Sequence, residues 1–188
     1  MRPMHQTFSI SSLLLVATAH ANLLSGAMHY DGSGHDYFLT SKSNWTDAEA
    51  LAVSMGGHLA SISDAAENAW ICNTFSTFGG TNRQLWIGLN DLDSPGQFRW
   101  SSGESVAFTN WSPGEPNFIG AERFAFIYGP GIPRPAGQWN NEYNRSDFAS
   151  WGASGQFFGV IEVVPAPASG ALVVFGMRVR GRRRQSTL

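Results

Sequence analysis

The chain has 188 residues, a formal net charge of −2 and a single cysteine, with 43% apolar and 13% aromatic side chains. That composition supports one packed domain with short extensions and excludes a globally disordered chain. One cysteine, Cys72, excludes both an intramolecular disulfide and a cysteine-rich zinc centre. The charge is unevenly spread: residues 22–164 hold all 14 acidic side chains against six basic ones, and five arginines (Arg178, Arg180, Arg182, Arg183 and Arg184) crowd the last eleven positions. A body of net charge −8 argues against a nucleic-acid partner, which needs phosphate-neutralising Lys and Arg, and it suits a bound cation.

In chain order, residues 1–21 combine a basic start, an apolar centre at Leu13–Ala17 and an Ala19-His20-Ala21 end. This is the pattern of a secretory signal peptide cleaved after Ala21, and residues 22–34 are expected to be a linker. His35–Ser41 has strand chemistry. Asn44-Trp45-Thr46-Asp47 opens a helix, with Asn44 or Thr46 as N-cap, and Ala48, Leu51, Ala52 and Met55 follow helical spacing until Gly56-Gly57 ends it. His58–Ile62 alternates as a short strand, and Ser63 or Asp64 caps a second helix from Ala65 to about Phe75, with Glu67 near its third position.

Leu85–Leu89 and Gly96–Trp100 are the next predicted strands, followed by a Gly-, Pro-, Asn- and Ser-rich stretch from Ser101 to Pro135. Loops of that length in a compact domain are mostly functional or disordered. Phe124–Tyr128, Gly137–Asn140 and Phe157–Val163 are the closing strands. A strand, two helices and then several short strands is an α+β order rather than the alternation of a parallel-sheet fold. Trp45, Trp70, Trp86, Trp100, Trp111 and Trp139 are read as core or loop-anchoring residues. No nucleophile elbow, phosphate loop or His-Glu-x-x-His helix occurs, so the chain is read as non-enzymatic.

Several short motifs occur together: Gly56-Gly57-His58-Leu59-Ala60-Ser61-Ile62, Trp86-Ile87-Gly88-Leu89, Asn110-Trp111-Ser112-Pro113-Gly114-Glu115-Pro116-Asn117, Trp139-Asn140 and Gly159-Val160-Ile161-Glu162. In this order and spacing the segment 35–164 resembles the C-type-lectin-like domain. The resemblance implies an α+β fold of two helices, short antiparallel sheets and a long loop region. It also implies a calcium ion held by Glu115, Asn117, Glu122, Asn140 and Asn141, with a cis peptide between Glu115 and Pro116. Calcium takes six to eight hard oxygens, which carboxylates and amide carbonyls supply.

The implied ligand is a glycan of the mannose type, contacted by Glu115, Asn117, Glu122 and Asn140, with Phe118 and Ile119 flanking the sugar. Asn141 stands where the family has Asp, which removes one charge, and Glu142 follows as a compensating carboxylate. At the family's auxiliary calcium site only Asp91 persists; Pro95, Phe118 and Arg123 occupy the other places, so that site is expected to be absent. Apolar Ala52, Phe124 and Ile161 stand near the family's disulfide positions. Residues 165–188, with Pro165-Ala166-Pro167, an apolar patch and an Arg-rich end, are similar to a PEP-CTERM sorting tail, with Ala166 in place of Glu. That likeness implies a bacterial protein, secreted or at the cell surface, that meets the membrane only transiently through its tail. The alternative reading is a calcium-independent protein-interaction or structural surface module of the same fold.

Overall fold

The computed structural model describes residues 22–165; the expected signal peptide, and the sorting tail from residue 166 on, lie outside the described residues. Eight strands form one sheet: β1 (Met28–Tyr30), β2 (His35–Lys42), β3 (His58–Leu59), β4 (Gln84–Asn90), β5 (Arg99–Trp100), β6 (Phe124–Ile127), β7 (Trp139–Glu142) and β8 (Phe157–Val163). Their spatial order is β1-β2-β8-β4-β6-β7, with β3 on β8 and β5 on β4. The sheet is mixed rather than purely antiparallel, because β4 and β8 run parallel in its centre with Leu85 opposite Phe158. The segment 22–34, expected as a linker, belongs to the fold. β1 pairs antiparallel with β2, the Leu24 N–H donates to the Leu39 carbonyl at 2.7 Å, and the Ser25 hydroxyl accepts the Leu39 N–H.

Helix α1 (Trp45–Ser54) starts where the Asn44 side chain accepts the Asp47 N–H at 2.8 Å, which makes Asn44 the N-cap and leaves Thr46 inside the helix. It ends in a turn in which the Gly56 N–H reaches the Val53 carbonyl and the Gly57 N–H reaches the Ala52 carbonyl. Gly56 takes φ 84° there, a conformation open to glycine at little cost. Helix α2 (Ala65–Phe75) is capped by Asp64, which accepts the Glu67 N–H, while the Glu67 carboxylate accepts from the Ser63 N–H and hydroxyl. The Tyr37 hydroxyl lies 2.5 Å from Glu67 and 3.0 Å from Glu162, tying α2 to β2 and β8. The expected strands at 58–62 and 96–100 shrink to His58–Leu59 and Arg99–Trp100, although Ala60 still donates its N–H to the Val160 carbonyl at 2.8 Å and accepts the Gly88 N–H at 2.9 Å.

The alternation of β4 and β8 divides the core between the two faces of the sheet. Leu85, Ile87, Leu89, Phe158 and Val160 pack with Ile71, Cys72 and Phe75 of α2. Trp86, Phe157 and Ile161 face the other way and pack with Trp45, Ala48 and Ala52 of α1. Ala52, Phe124 and Ile161 fall in this second cluster and are all buried. Where the resemblance implied disulfide positions, this chain has apolar packing. Each large side chain buried in this way contributes about 1.5–3 kcal/mol relative to leaving it exposed.

Candidate functional site

The long segment between β5 and β6 is anchored at Trp139, the first residue of β7. The Trp139 N–H donates to the Asn110 carbonyl and the Ser112 N–H donates to the Trp139 carbonyl, both at 2.8 Å. Its ring meets Trp100, Phe108 and Trp111 edge-on at 5.7–5.9 Å between centroids. Its Nε1 donates to Asn68 of α2 at 2.6 Å. The fully buried indole therefore joins α2, the sheet and the loop, and it fixes where the next residue of β7, Asn140, emerges.

The loop then turns through a cis peptide between Glu115 and Pro116. Glu115 donates its N–H to the Ser112 carbonyl at 2.9 Å, but its Oε2 is buried without a hydrogen-bond partner. Asn117 Oδ1 is in the same state. A buried acceptor left unpaired carries a desolvation penalty of roughly 1–3 kcal/mol, so two of them in one turn point to a ligand that satisfies both. Phe118 sits in the left-handed region at φ 43°, and its carbonyl accepts the Ala121 and Glu122 N–H groups. The turn leaves the Phe118 side chain 69% exposed and Ile119 49% exposed.

Glu122 is 9% exposed, and its carboxylate has no hydrogen bond or ion pair among the described residues. Burial raises its pKa, with the neighbouring carboxylates of Glu142 and Glu115 adding to the effect, to about 7. Burial also raises Glu115 and Glu142 above the ordinary carboxylate range. Tyr128 is pushed up to about 12 by burial and by Glu115, Glu142 and Glu122, with Arg134 opposing.

Asn140 is 8% exposed, and its Oδ1 accepts the Asn141 N–H at 2.9 Å. Asn141, the remaining expected cation ligand, follows Asn140 in β7. It is completely buried, its Oδ1 accepts the Asn117 N–H at 2.9 Å, and its Nδ2 donates to the Asn117 and Glu122 carbonyls at 2.6 Å each. Its side chain is engaged with the loop backbone. The reason lies in the strand: Asn140 is paired with Phe126 and Asn141 with Ala125, so the two amides project to opposite faces of β7. Glu142, on the Asn140 face, is 1% exposed; its Oε1 accepts the Tyr143 N–H at 2.8 Å and lies 3.0 Å from Arg145 Nη2.

The expected loss of the auxiliary site has a structural counterpart. Arg123 Nε lies 3.0 Å from Asp91 Oδ1, its Nη2 donates to the Asp91 carbonyl, and Asp91 Oδ2 accepts the Gly96 N–H at 2.7 Å. A guanidinium thus neutralises the fully buried Asp91 carboxylate and ties the end of β4 to the start of β6, bracketing residues 92–122. Among the described residues, no group of three His, Cys, Asp or Glu side chains is gathered closely enough to hold a metal by itself. The Glu115 region accordingly presents a mixed set of carboxylates and amides. No helix among the described residues is long and apolar enough to cross a membrane.

Comparison with known proteins gives the geometry a context. Residues 41–149 match the Lectin C-type domain family. Lectin BRA-3 of Megabalanus rosa is 44% identical over 91 residues, which are 47% of this chain and 52% of that protein, so the chain spans about half the length of that relative. The carbohydrate-recognition domain of cow CD23, solved in the presence of a GlcNAc2Man3 oligosaccharide, superposes with a TM-score of 0.57 at 23% identity. The superposition covers 75% of this chain and 95% of that one. A calcium-independent type II antifreeze protein superposes with a TM-score of 0.54 at 21% identity, covering 75% and 95%. At those identities the two structures show a shared fold.

Proposed function

Because the chain belongs to the C-type lectin domain family, a family of binding domains rather than enzymes, we propose that it binds carbohydrate in a calcium-dependent way at the Glu115-Pro116-Asn117 turn. The observation that carries this reading is the pair of buried, unpartnered oxygens, Glu115 Oε2 and Asn117 Oδ1, beside the unpaired carboxylate of Glu122. Hard oxygen donors of this kind fit calcium, and Glu115, Asn117, Glu122 and Asn140 would hold it. When bound, the ion supplies a positive centre that accepts two adjacent sugar hydroxyls into its shell.

The chain's own groups do the rest. Glu115 and Glu122 accept hydrogen bonds from sugar hydroxyls, and the Asn117 and Asn140 amides donate to them. The mannose-type assignment is what the resemblance of Glu115-Pro116-Asn117 to the family's motif implies. Exposed Phe118 and Ile119 offer apolar contact to a sugar's C–H face. Asn141 keeps the turn in place from behind through its three hydrogen bonds. With the signal-peptide pattern at residues 1–21 and the tail at 165–188, the proposed setting is an exported protein that engages surface or matrix polysaccharide.

Calorimetry of the purified protein, first with calcium and then with mannose or galactose, tests this reading. The expected result is calcium binding followed by mannose binding in its presence, with weaker binding of galactose. Absence of calcium binding at millimolar concentration refutes it. A second reading, a calcium-independent interaction module, is favoured by the Asn141 clamp and the Arg123–Asp91 pair, which order the loop without a cation. It requires that a chelator change neither the melting temperature nor partner binding.

A further inference from the structure

We propose that Phe118 is a stacking platform for a second sugar residue, so that the Glu115-Pro116-Asn117 turn takes an oligosaccharide in preference to a single terminal sugar. The inference rests on the reading of that turn as the sugar site. Phe118 directly follows Asn117, and among the described residues it is the one residue other than glycine held at a positive φ, 43°. That left-handed conformation crowds a Cβ, and glycine, asparagine and aspartate are the residues that take it at low cost. A phenylalanine there strains the backbone, and strain of this kind marks positions where a side chain is held for a task.

No internal packing offsets the strain. Phe118 is 69% exposed and joins neither buried cluster. What holds the ring outward is the backbone around it. The Phe118 carbonyl accepts the Ala121 and Glu122 N–H groups at 2.9 and 3.1 Å, which closes the turn. On one side the Asn117 N–H and carbonyl are held by the Asn141 side chain. On the other, Ile119 and Gly120 lie against the turn at 94–97. A Cβ placed on Gly96 would come within 3.3 Å of Ile119 Cγ2, and one on Gly120 within 3.5 Å of Pro95. That supporting turn is itself closed by the Gln97 N–H on the Ser94 carbonyl and the Gly96 N–H on Asp91 Oδ2. The ring is therefore presented at a fixed place, one residue from the unpartnered Asn117 Oδ1, and contact with it orders little that is not already ordered. A pyranose carries its hydroxyls at the rim and offers a C–H face that covers an aromatic ring. A terminal sugar engaged by Glu115 and Asn117 brings its glycosidic neighbour to the adjoining ring, and half-exposed Ile119 widens the platform.

Calorimetry in calcium, comparing methyl α-mannoside with mannose disaccharides of each common linkage, tests the assignment in wild type, Phe118→Asn and Phe118→Trp. Wild type should bind at least one disaccharide about five- to tenfold more tightly than the monosaccharide, the gain expected from covering one ring face. Phe118→Asn should lose most of that ratio, and Phe118→Trp should keep it. In chelator Phe118→Asn should melt on the order of 3 °C above wild type, because asparagine suits the left-handed backbone. A lower melt for Phe118→Asn would make the ring a structural support and refute the platform. If wild type binds methyl α-mannoside but no disaccharide more tightly, or if Phe118→Asn keeps the wild-type ratio, the platform is refuted and the site stands. If wild type binds neither calcium nor any mannoside, the site reading falls and this inference with it.

Discussion

Replacing Arg123 with Gln should destabilise the protein markedly even though the residue is partly exposed. The substitution removes the charge facing Asp91, whose carboxylate is fully buried, together with contacts to Asp91 Oδ1 and to its carbonyl. Breaking a buried ion pair by removing one partner costs about 3–5 kcal/mol. Arg123 retains 27% side-chain exposure, so solvent screens part of this, and about 2–3 kcal/mol is the working figure. For a domain of this size that lowers the melting temperature by on the order of 10 °C. Thermal unfolding in chelator at neutral pH measures it directly. Asp91→Asn should cost less, because the charge left unpaired is then the partly exposed Arg123 guanidinium rather than a fully buried carboxylate, and in the double variant the Arg123→Gln penalty should largely vanish. Limited proteolysis should also cut Arg123→Gln faster within residues 92–122, the loop whose ends the pair joins. A melting shift under about 2 °C, or additive single and double effects, would refute the idea that this pair organises the loop.

Asn141→Asp restores the family's charge, but it removes the Nδ2 donor and sets a carboxylate against the Asn117 and Glu122 carbonyls. It should lower the melting temperature in chelator by an amount corresponding to about 1–3 kcal/mol, and an unchanged melt would contradict the clamp. In the cation-free protein, the Glu122 carboxyl titrates at about 7 when folded against an ordinary 4.5. Between those values the folded state keeps a proton that the unfolded chain has released, so stability falls as pH rises from about 4.5 to about 7. That shift is worth about 3 kcal/mol unscreened and on the order of 1 kcal/mol after solvent screening. Melting in chelator from pH 5 to pH 8 should therefore decline, whereas calcium affinity should rise over the same range; a flat profile for both would be inconsistent with a buried carboxylate site. Gly159→Ala would place a Cβ 2.7 Å from Ala48 Cβ and 2.9 Å from Leu59 Cδ2. It should cost about 1–3 kcal/mol, read by denaturant unfolding, and no change in midpoint would show that α1 can lift off β8 freely.

Much of the fold was legible in the sequence because local signals and packing agree. The capping residues Asn44 and Asp64, the Gly56-Gly57 stop and the apolar runs at 85–89 and 157–163 each carry a physical cue that the structure uses. What was not legible depends on partners distant in the chain. Nothing local distinguishes residues 28–30 from a linker until β2 is available to pair with them. His58–Ile62 has strand chemistry throughout, yet regular ladder pairing with β8 stops after Leu59, and Ser61 bonds instead to the Glu162 side chain. Glu115, Asn117, Glu122 and Asn140 were named from the resemblance to the family's motif, and their role belongs to the proposal. That Asn141 turns its side chain to the loop backbone was not legible, because it depends on the register of β7 against β6. A period of two assigns the faces, but only a known partner says which face looks toward the loop. Arg123 was read as standing where the family's second calcium site has an acidic ligand, while its pairing with Asp91 required the folded chain.

The central claim is that this domain binds mannose-type glycans through calcium at the Glu115-Pro116-Asn117 turn. The most direct test is a glycan array probed with the purified protein in calcium and again in excess chelator. Binding confined to mannose, glucose, fucose or N-acetylglucosamine termini, lost with chelator and lost in Glu115→Gln, is the expected result. Binding that persists undiminished in chelator, or that favours galactose termini, would contradict the account.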